Sequence, residues 1–146
     1  MDGKKNMILT DTGFWCAFFN ARDKHHLQAE LIMKDLDEGL ITTWPVVTES
    51  SYLLGKALGV SSQLRFLFAL EYEYISVAEI RAEHLKRIRQ LVEKYADLPM
   101  DLADASLVIL AEELGHGRIL STDLRDFHCY RWKNHRPFQN LFLPDS

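Results

Sequence analysis

"ILTDTGFWCAFF", residues 8–19, is the stretch on which the fold turns. Residues 7–10 read as a short strand, and residues 13–20 as an apolar helix that begins almost at once. Asp11 stands at the joint, where the chain should be entering the core. A buried carboxylate is costly unless something pairs with it, and Ser or Asn would have served a plain connection. Asp11 therefore asks for a partner.

Outward from this joint, strands and helices alternate. Residues 24–36 predict a helix with Leu27, Leu31, Ile32 and Leu36 on one stripe. "LITTW" (40–44) is β-rich, and Pro45 after it suits a first helical position, where a missing N–H costs nothing. The helix from Pro45 should carry Val46, Val47, Tyr52, Leu53 and Leu54 toward the core before Gly55 and Gly59 weaken it. "SSQLRFLFALEY" (61–72) predicts another helix and "YEYIS" (72–76) a strand. Ser76 and Glu79 have capping-box spacing ahead of an amphipathic helix that ends near Tyr95. "DLADASLVILAEELG" (101–115) starts at a capping Asp101, stops at Gly115 and is apolar on almost every face between them, so it should be a buried helix. "RILST" (118–122) supplies a fourth strand. This alternation implies right-handed crossovers and a mostly parallel sheet, hence the α/β class. No repeat or linker divides residues 1–146, which are expected to form one domain.

Of the 146 residues, 47% are hydrophobic and 26% charged, which suits a soluble globular protein and excludes a disordered one. No run approaches the ~18 apolar residues of a membrane span. Lys4 and Lys5 precede an apolar stretch, but Asp11 interrupts it and no small-residue cleavage site follows. Cys16 and Cys129 lie far apart with no C-x-x-C motif, as free thiols do in a reducing compartment, so a cytoplasmic location is expected. The net charge of −4 disfavours a protein that grips nucleic acid over its whole surface. One local basic segment stands out, "RDFHCYRWKNHRPF" (125–138), readable as an RNA contact or as a solvated tail.

In a parallel sheet all strand-to-helix joints share one edge, which is where open α/β folds place ligands. Asp11 ends the first strand, Glu49 lies one turn into the helix after "LITTW", Asp104 is in the first turn of the buried helix, and Asp123 follows "RILST". Each alone has a structural reading as a cap, a dipole partner or a solvated acid. Four converging carboxylates repel unless some are protonated or a cation intervenes. Carboxylates without thiolates or clustered imidazoles suit Mg2+ or Mn2+ rather than zinc.

Four segments, "ILTDTGFWCAFF", "TTWPVVTESSYLL", "DLPMDLADASLVILAEELG" and "RILSTDLRDF", resemble the signature segments of the PIN domain in order and spacing, over nearly the whole chain. The resemblance is strongest to VapC-like toxins of type II toxin–antitoxin pairs. It implies a parallel sheet of about five strands flanked by helices, and a Mg2+- or Mn2+-dependent ribonuclease. It maps the family's metal-site and catalytic acids onto Asp11, Glu49, Asp104 and Asp123, and the polar residue before the fourth acid onto Thr122. It implies RNA as substrate, a homodimer, and a cognate antitoxin whose C-terminal segment fills the acidic groove. The alternative within the same fold is a non-catalytic RNA-binding or RNA-processing scaffold. A receiver-type phosphoryl-transfer domain also gathers acids at strand ends, but the chain lacks D-x-D-x-T.

His25 and His26 form no metal motif and read as an exposed helix start, and Cys16 among aromatic residues reads as a packed thiol. The charges of "EIRAEHLKRIRQLVEK" (79–94) read mainly as a solvated helix face, with an RNA contact as the alternative.

Overall fold

The structure, a computed structural model, describes residues 4–142. The two ends of the expected 1–146 domain, residues 1–3 and 143–146, lie outside the described residues. In chain order the elements are β1 (Ile8–Thr10), α1 (Thr12–Phe19), α2 (His26–Asp35), β2 (Leu40–Thr43), α3 (Trp44–Leu58), α4 (Val60–Glu71) and β3 (Ser76–Ala78). A 3-10 turn (Ala82–His84) leads into α5 (Leu85–Lys94), followed by α6 (Leu102–Leu114), β4 (Arg118–Leu120) and α7 (Leu124–Cys129). The short strands β5 (Arg131–Trp132), β6 (Arg136–Pro137) and β7 (Gln139–Asn140) complete the order.

The main sheet runs β3-β2-β1-β4-β7 and every pairing in it is parallel, so the expected α/β class with five strands is what the chain forms. β1 lies at the centre, with Leu9 opposite Ile41 on one side and Ile119 on the other. Its residues are buried on both faces, which explains the unbroken apolar run Ile8–Leu9. Thr10 and Thr42 sit inside the sheet fully buried, and each hydroxyl is satisfied: Thr10 donates to the Ile41 carbonyl at 3.0 Å and Thr42 to the Thr10 carbonyl at 2.9 Å. The Trp15 indole N–H, from α1, donates to Thr10 Oγ1 at 2.9 Å and pins α1 over the strand it follows.

α6 is the central helix, buried from Ala105 to Ala111, and it rests on β1 and β2 while packing against α3 and α5. Its continuous apolar run is thereby accounted for. α3 passes through Gly55 and ends at Gly59, whose φ of +89° also opens α4. Such a backbone favours glycine, so the two helices meet there without a linker.

Several local expectations are corrected. The strand expected at 72–76 lies at Ser76–Ala78, so Ser76 pairs with Ile41 and does not cap a helix with Glu79. The helix that follows starts only at Leu85. Of the expected stripe of α2, Ile32 and Leu36 pack on the core while Leu27 and Leu31 are exposed, and Ala29 and Met33 face the core in their place. On α3, Leu54 is buried while Tyr52 and Leu53 are exposed, because neighbouring helical residues point about 100° apart. His26 is not an exposed helix start: its Nδ1 lies 2.8 Å from the Ala17 carbonyl and its ring is largely covered. Arg87 is not solvated either, since it forms a two-bond pair with Glu112 of α6. The basic C-terminal segment is no tail: it forms α7 and the β5–β6 hairpin, with Phe127, Tyr130 and Trp132 buried. No helix among the described residues is long and apolar enough to cross a membrane.

Candidate active site

The C-terminal ends of β1, β2 and β4 open onto a cleft of about 350 Å3 that Asp11, Glu49, Asp104 and Asp123 all line. Asp101 and Asp126 line it too, while no Lys or Arg does. The four acids expected to converge are thus on one cleft, and Thr122 is there with them.

Asp11 sits at the end of β1 and caps α1, accepting from the Phe14 N–H at 2.8 Å through Oδ1. Its other oxygen accepts from the hydroxyl of Ser121, a fully buried residue just past β4. Ser121 Oγ in turn accepts the Asp123 N–H at 2.9 Å, so one hydroxyl ties the first acid to the backbone of the fourth. Asp123 caps α7, its Oδ1 accepting from the Asp126 N–H at 3.0 Å. Glu49, from the second turn of α3, accepts the Thr12 hydroxyl at 2.6 Å through Oε1. Asp104 stands in the first turn of α6, where Asp101 caps the helix by accepting the Asp104 N–H at 2.8 Å. The Tyr130 hydroxyl donates to Asp104 Oδ2 at 3.2 Å.

The outcome is regular. Asp104 Oδ1 and Glu49 Oε2 meet no hydrogen-bond donor among the described residues, while the other oxygen of each is held. Asp123 has Oδ1 held by the Asp126 N–H and its carboxyl set against that of Asp126. A fixed donor on one carboxylate oxygen orients the other, as partners of metal-binding carboxylates do.

Burial dominates the electrostatics. It lifts the Asp11 carboxyl to about 7, against the Ser121 and Phe14 hydrogen bonds and with help from Asp123 and Glu49. Burial also lifts Asp104 to about 7, with Asp101 adding repulsion and the Tyr130 hydroxyl opposing it. Asp123 is raised for the same first reason. Burial pushes the Tyr130 phenol upward as well, with the Asp104 charge behind it, so this hydroxyl remains a donor. The Cys16 thiol is likewise pushed up to about 11, which suits a packed, unreactive side chain.

These are hard oxygen donors in a cleft without a balancing cation, the chemistry that a divalent ion such as Mg2+ or Mn2+ fits. As the side chains stand, no three His, Cys, Asp or Glu among the described residues are grouped to enclose an ion. The acids surround a cleft rather than a point.

Thr122, directly before Asp123, lines the cleft and packs against Gly13, while its neighbour Ser121 is the hydroxyl that touches Asp11. Sequence reasoning missed Ser121, Thr12 and Tyr130. A hydroxyl at the end of β4, two residues before Asp123, was the available signal for Ser121.

A larger apolar hollow of about 720 Å3 adjoins the cleft and shares Glu49, Asp101 and Ala103 with it. Trp44, Tyr52, Leu85 and Leu102 are its exposed apolar walls.

The model of the PIN domain matches residues 8–132. Ribonuclease VapC26 of Mycobacterium tuberculosis is 28% identical over 124 residues, covering 85% of this chain and 92% of that protein. The crystal structure of M. tuberculosis VapC20, a sarcin-ricin loop cleaving toxin, superposes with a TM-score of 0.74 at 19% identity, over 80% of this chain and 89% of VapC20. With the parallel sheet, the acids at its strand ends and a match across most of its length, the chain belongs to the PIN-domain family.

Proposed function

We propose that this protein is a PIN ribonuclease and the toxin of a type II toxin–antitoxin pair, hydrolysing RNA phosphodiester bonds with the help of Mg2+ or Mn2+ in the cytoplasm. The observation that carries the reading is the cleft with Asp11, Glu49, Asp104 and Asp123 on its walls and no cationic side chain among them. An RNA phosphate would be repelled from such a cleft, and a divalent cation reconciles the two. The relatives support the reading by what they are: a ribonuclease, VapC26, and a sarcin-ricin loop cleaving toxin, VapC20.

When bound, such an ion lowers the pKa of a water and offsets the charge of the attacked phosphate. Asp11 and Asp104 are the residues that would hold it, with Glu49 reaching it directly or through water. Ser121 keeps Asp11 in place, and Thr12 keeps Glu49 turned so that Oε2 is free. Asp123 would orient water or complete a second ion site, its Oδ1 being committed to the start of α7.

The exposed Tyr52, Leu53, Leu64, Phe68 and Tyr72 of α3, α4 and the end of α4 support a homodimer or a partner surface. The acidic cleft supports an antitoxin segment carrying positive charge. Native mass spectrometry at micromolar concentration and co-purification from the host test these two points.

The central test uses the intact protein and labelled single-stranded RNA. Cleavage should need Mg2+ or Mn2+ and vanish in Asp11→Asn, Glu49→Gln and Asp104→Asn with circular dichroism unchanged. Full cleavage in EDTA, or wild-type rates in all three variants, would overturn the proposal. Binding of RNA without any turnover under all metal conditions would favour the scaffold alternative.

A further inference from the structure

We infer that Tyr130 is a positioning residue for Asp104: its buried hydroxyl holds one oxygen of that carboxylate and so leaves the other to the cleft. The inference rests on the acid cleft being the working site, as proposed above.

Tyr130 follows α7 directly and is fully buried. Its ring is held edge-on by Tyr95, with centroids 5.0 Å apart at 69°, and by Phe127, at 5.2 Å and 85°. Its backbone N–H donates to the Asp126 carbonyl at 2.9 Å. A ring fixed on two sides carries its hydroxyl to a fixed point, and that point is 3.2 Å from Asp104 Oδ2. No other side chain among the described residues donates to the Asp104 carboxylate.

The need for such a donor follows from the surroundings. A carboxylate turns easily about its last bond, and Asp104 shares its cleft with acids that repel it. Without a donor, nothing specific would keep its plane facing the cleft. The same hydroxyl also links two of the acids. Asp123 Oδ1 accepts the Asp126 N–H, the Asp126 carbonyl accepts the Tyr130 N–H, and the Tyr130 hydroxyl reaches Asp104. α7 thereby couples the acid at its start to the acid on α6.

A merely structural role would make Tyr130 one more core aromatic, and Tyr95 is the control that separates the two. The Tyr95 hydroxyl belongs to the same aromatic cluster but accepts the Arg131 N–H at 2.9 Å and makes no hydrogen bond to an acid among the described residues. Each Tyr→Phe change deletes one hydroxyl and keeps the ring.

The experiment measures Mn2+ binding to the intact protein by electron paramagnetic resonance, together with kcat and KM on a short single-stranded RNA, for wild type, Tyr130→Phe and Tyr95→Phe. Tyr130→Phe should weaken Mn2+ binding by about tenfold, the lower end of the effect of removing such a partner, and lower kcat with little change in KM. Tyr95→Phe should leave Mn2+ binding within about twofold of wild type. Unchanged binding in Tyr130→Phe, or equal losses in both variants, overturns the inference. In an Asp104→Asn background the Tyr130→Phe change should add no further loss of Mn2+ binding, and a further tenfold loss there overturns it even if Tyr130→Phe also lowers stability. A wild type that binds no Mn2+ overturns the reading of the cleft and this inference with it, and is recognised because the unmutated protein itself fails.

Discussion

Gly13 stands so close to Thr122 that a β-carbon at position 13 would lie 2.0 Å from Thr122 Oγ1 and 3.4 Å from its Cβ. Beside Asp11, the Thr122 hydroxyl thus fills the space that a β-carbon on the first turn of α1 would take. Gly13→Ala should destabilise the protein by ~1–3 kcal/mol, the usual range for overpacking, and should lower RNA cleavage by shifting Asp11 against Ser121. Thr122→Ala removes the clashing atom, so the double variant should recover most of the loss. Urea unfolding of the four proteins in a double-mutant cycle measures this, and additive losses would contradict it.

The raised acids set a pH dependence in metal-free protein. Asp11 and Asp104 move from the usual 3.8 to about 7, so the native state keeps protons that the unfolded chain has released. The stability they contribute is full below about pH 4 and is lost as pH rises through about 7. Asp123 is raised too and adds to the trend, while His116, held below its ordinary value by burial, opposes it with a single group. Melting temperature in EDTA should therefore fall between about pH 5 and about pH 8. Asp11→Asn should flatten the slope, and a wild-type profile that rises over this range would refute the argument.

Metal should reverse that loss, because a ligand that binds only the native state stabilises it by mass action, by roughly 2.7 kcal/mol at about 100 times Kd. Asp104→Asn should then act in opposite directions. In EDTA it removes a repelling charge and should raise the melting temperature. In millimolar Mn2+ it removes a ligand and should shrink the gain. A variant that melts lower than wild type in EDTA, with no metal response in either protein, would show that the acids do not share a site.

Glu112 should matter to stability although it lies outside the cleft. Its two oxygens accept Arg87 Nε at 3.1 Å and Nη2 at 2.6 Å, and Oε2 also accepts the Lys133 N–H at 2.7 Å, in the turn between β5 and β6. One side chain of α6 thus fastens both α5 and the hairpin. Glu112→Ala should cost ~2 kcal/mol, as expected for hydrogen bonds to a charged group that is partly covered. The urea midpoint reports it, and the Mn2+ affinity should stay unchanged.

The amino-acid sequence by itself determined the alternation of strands and helices, the caps at Asp11 and Asp101, the buried character of α6 and the four acids at one edge of the sheet. All of these rest on local spacing: a helix repeats every 3.6 residues, a cap sits beside the turn it closes, and parallel strands bring their ends to one side. Sequence spacing was weaker at the margins. β7 is a two-residue, largely polar strand, recognisable only because β4 offers it an open edge. Ser76 could pair or cap with equal local logic, and the neighbouring β2 decided for pairing. The contacts that make the acids into a site were decided by the tertiary structure alone. Ser121 meets Asp11 across 110 positions and Thr12 meets Glu49 across 37. Tyr130, just past α7, reaches Asp104 in the first turn of α6 across 26 positions. A hydrogen bond between distant residues depends on strand order, register and rotamer together, and no short stretch of sequence carries all three.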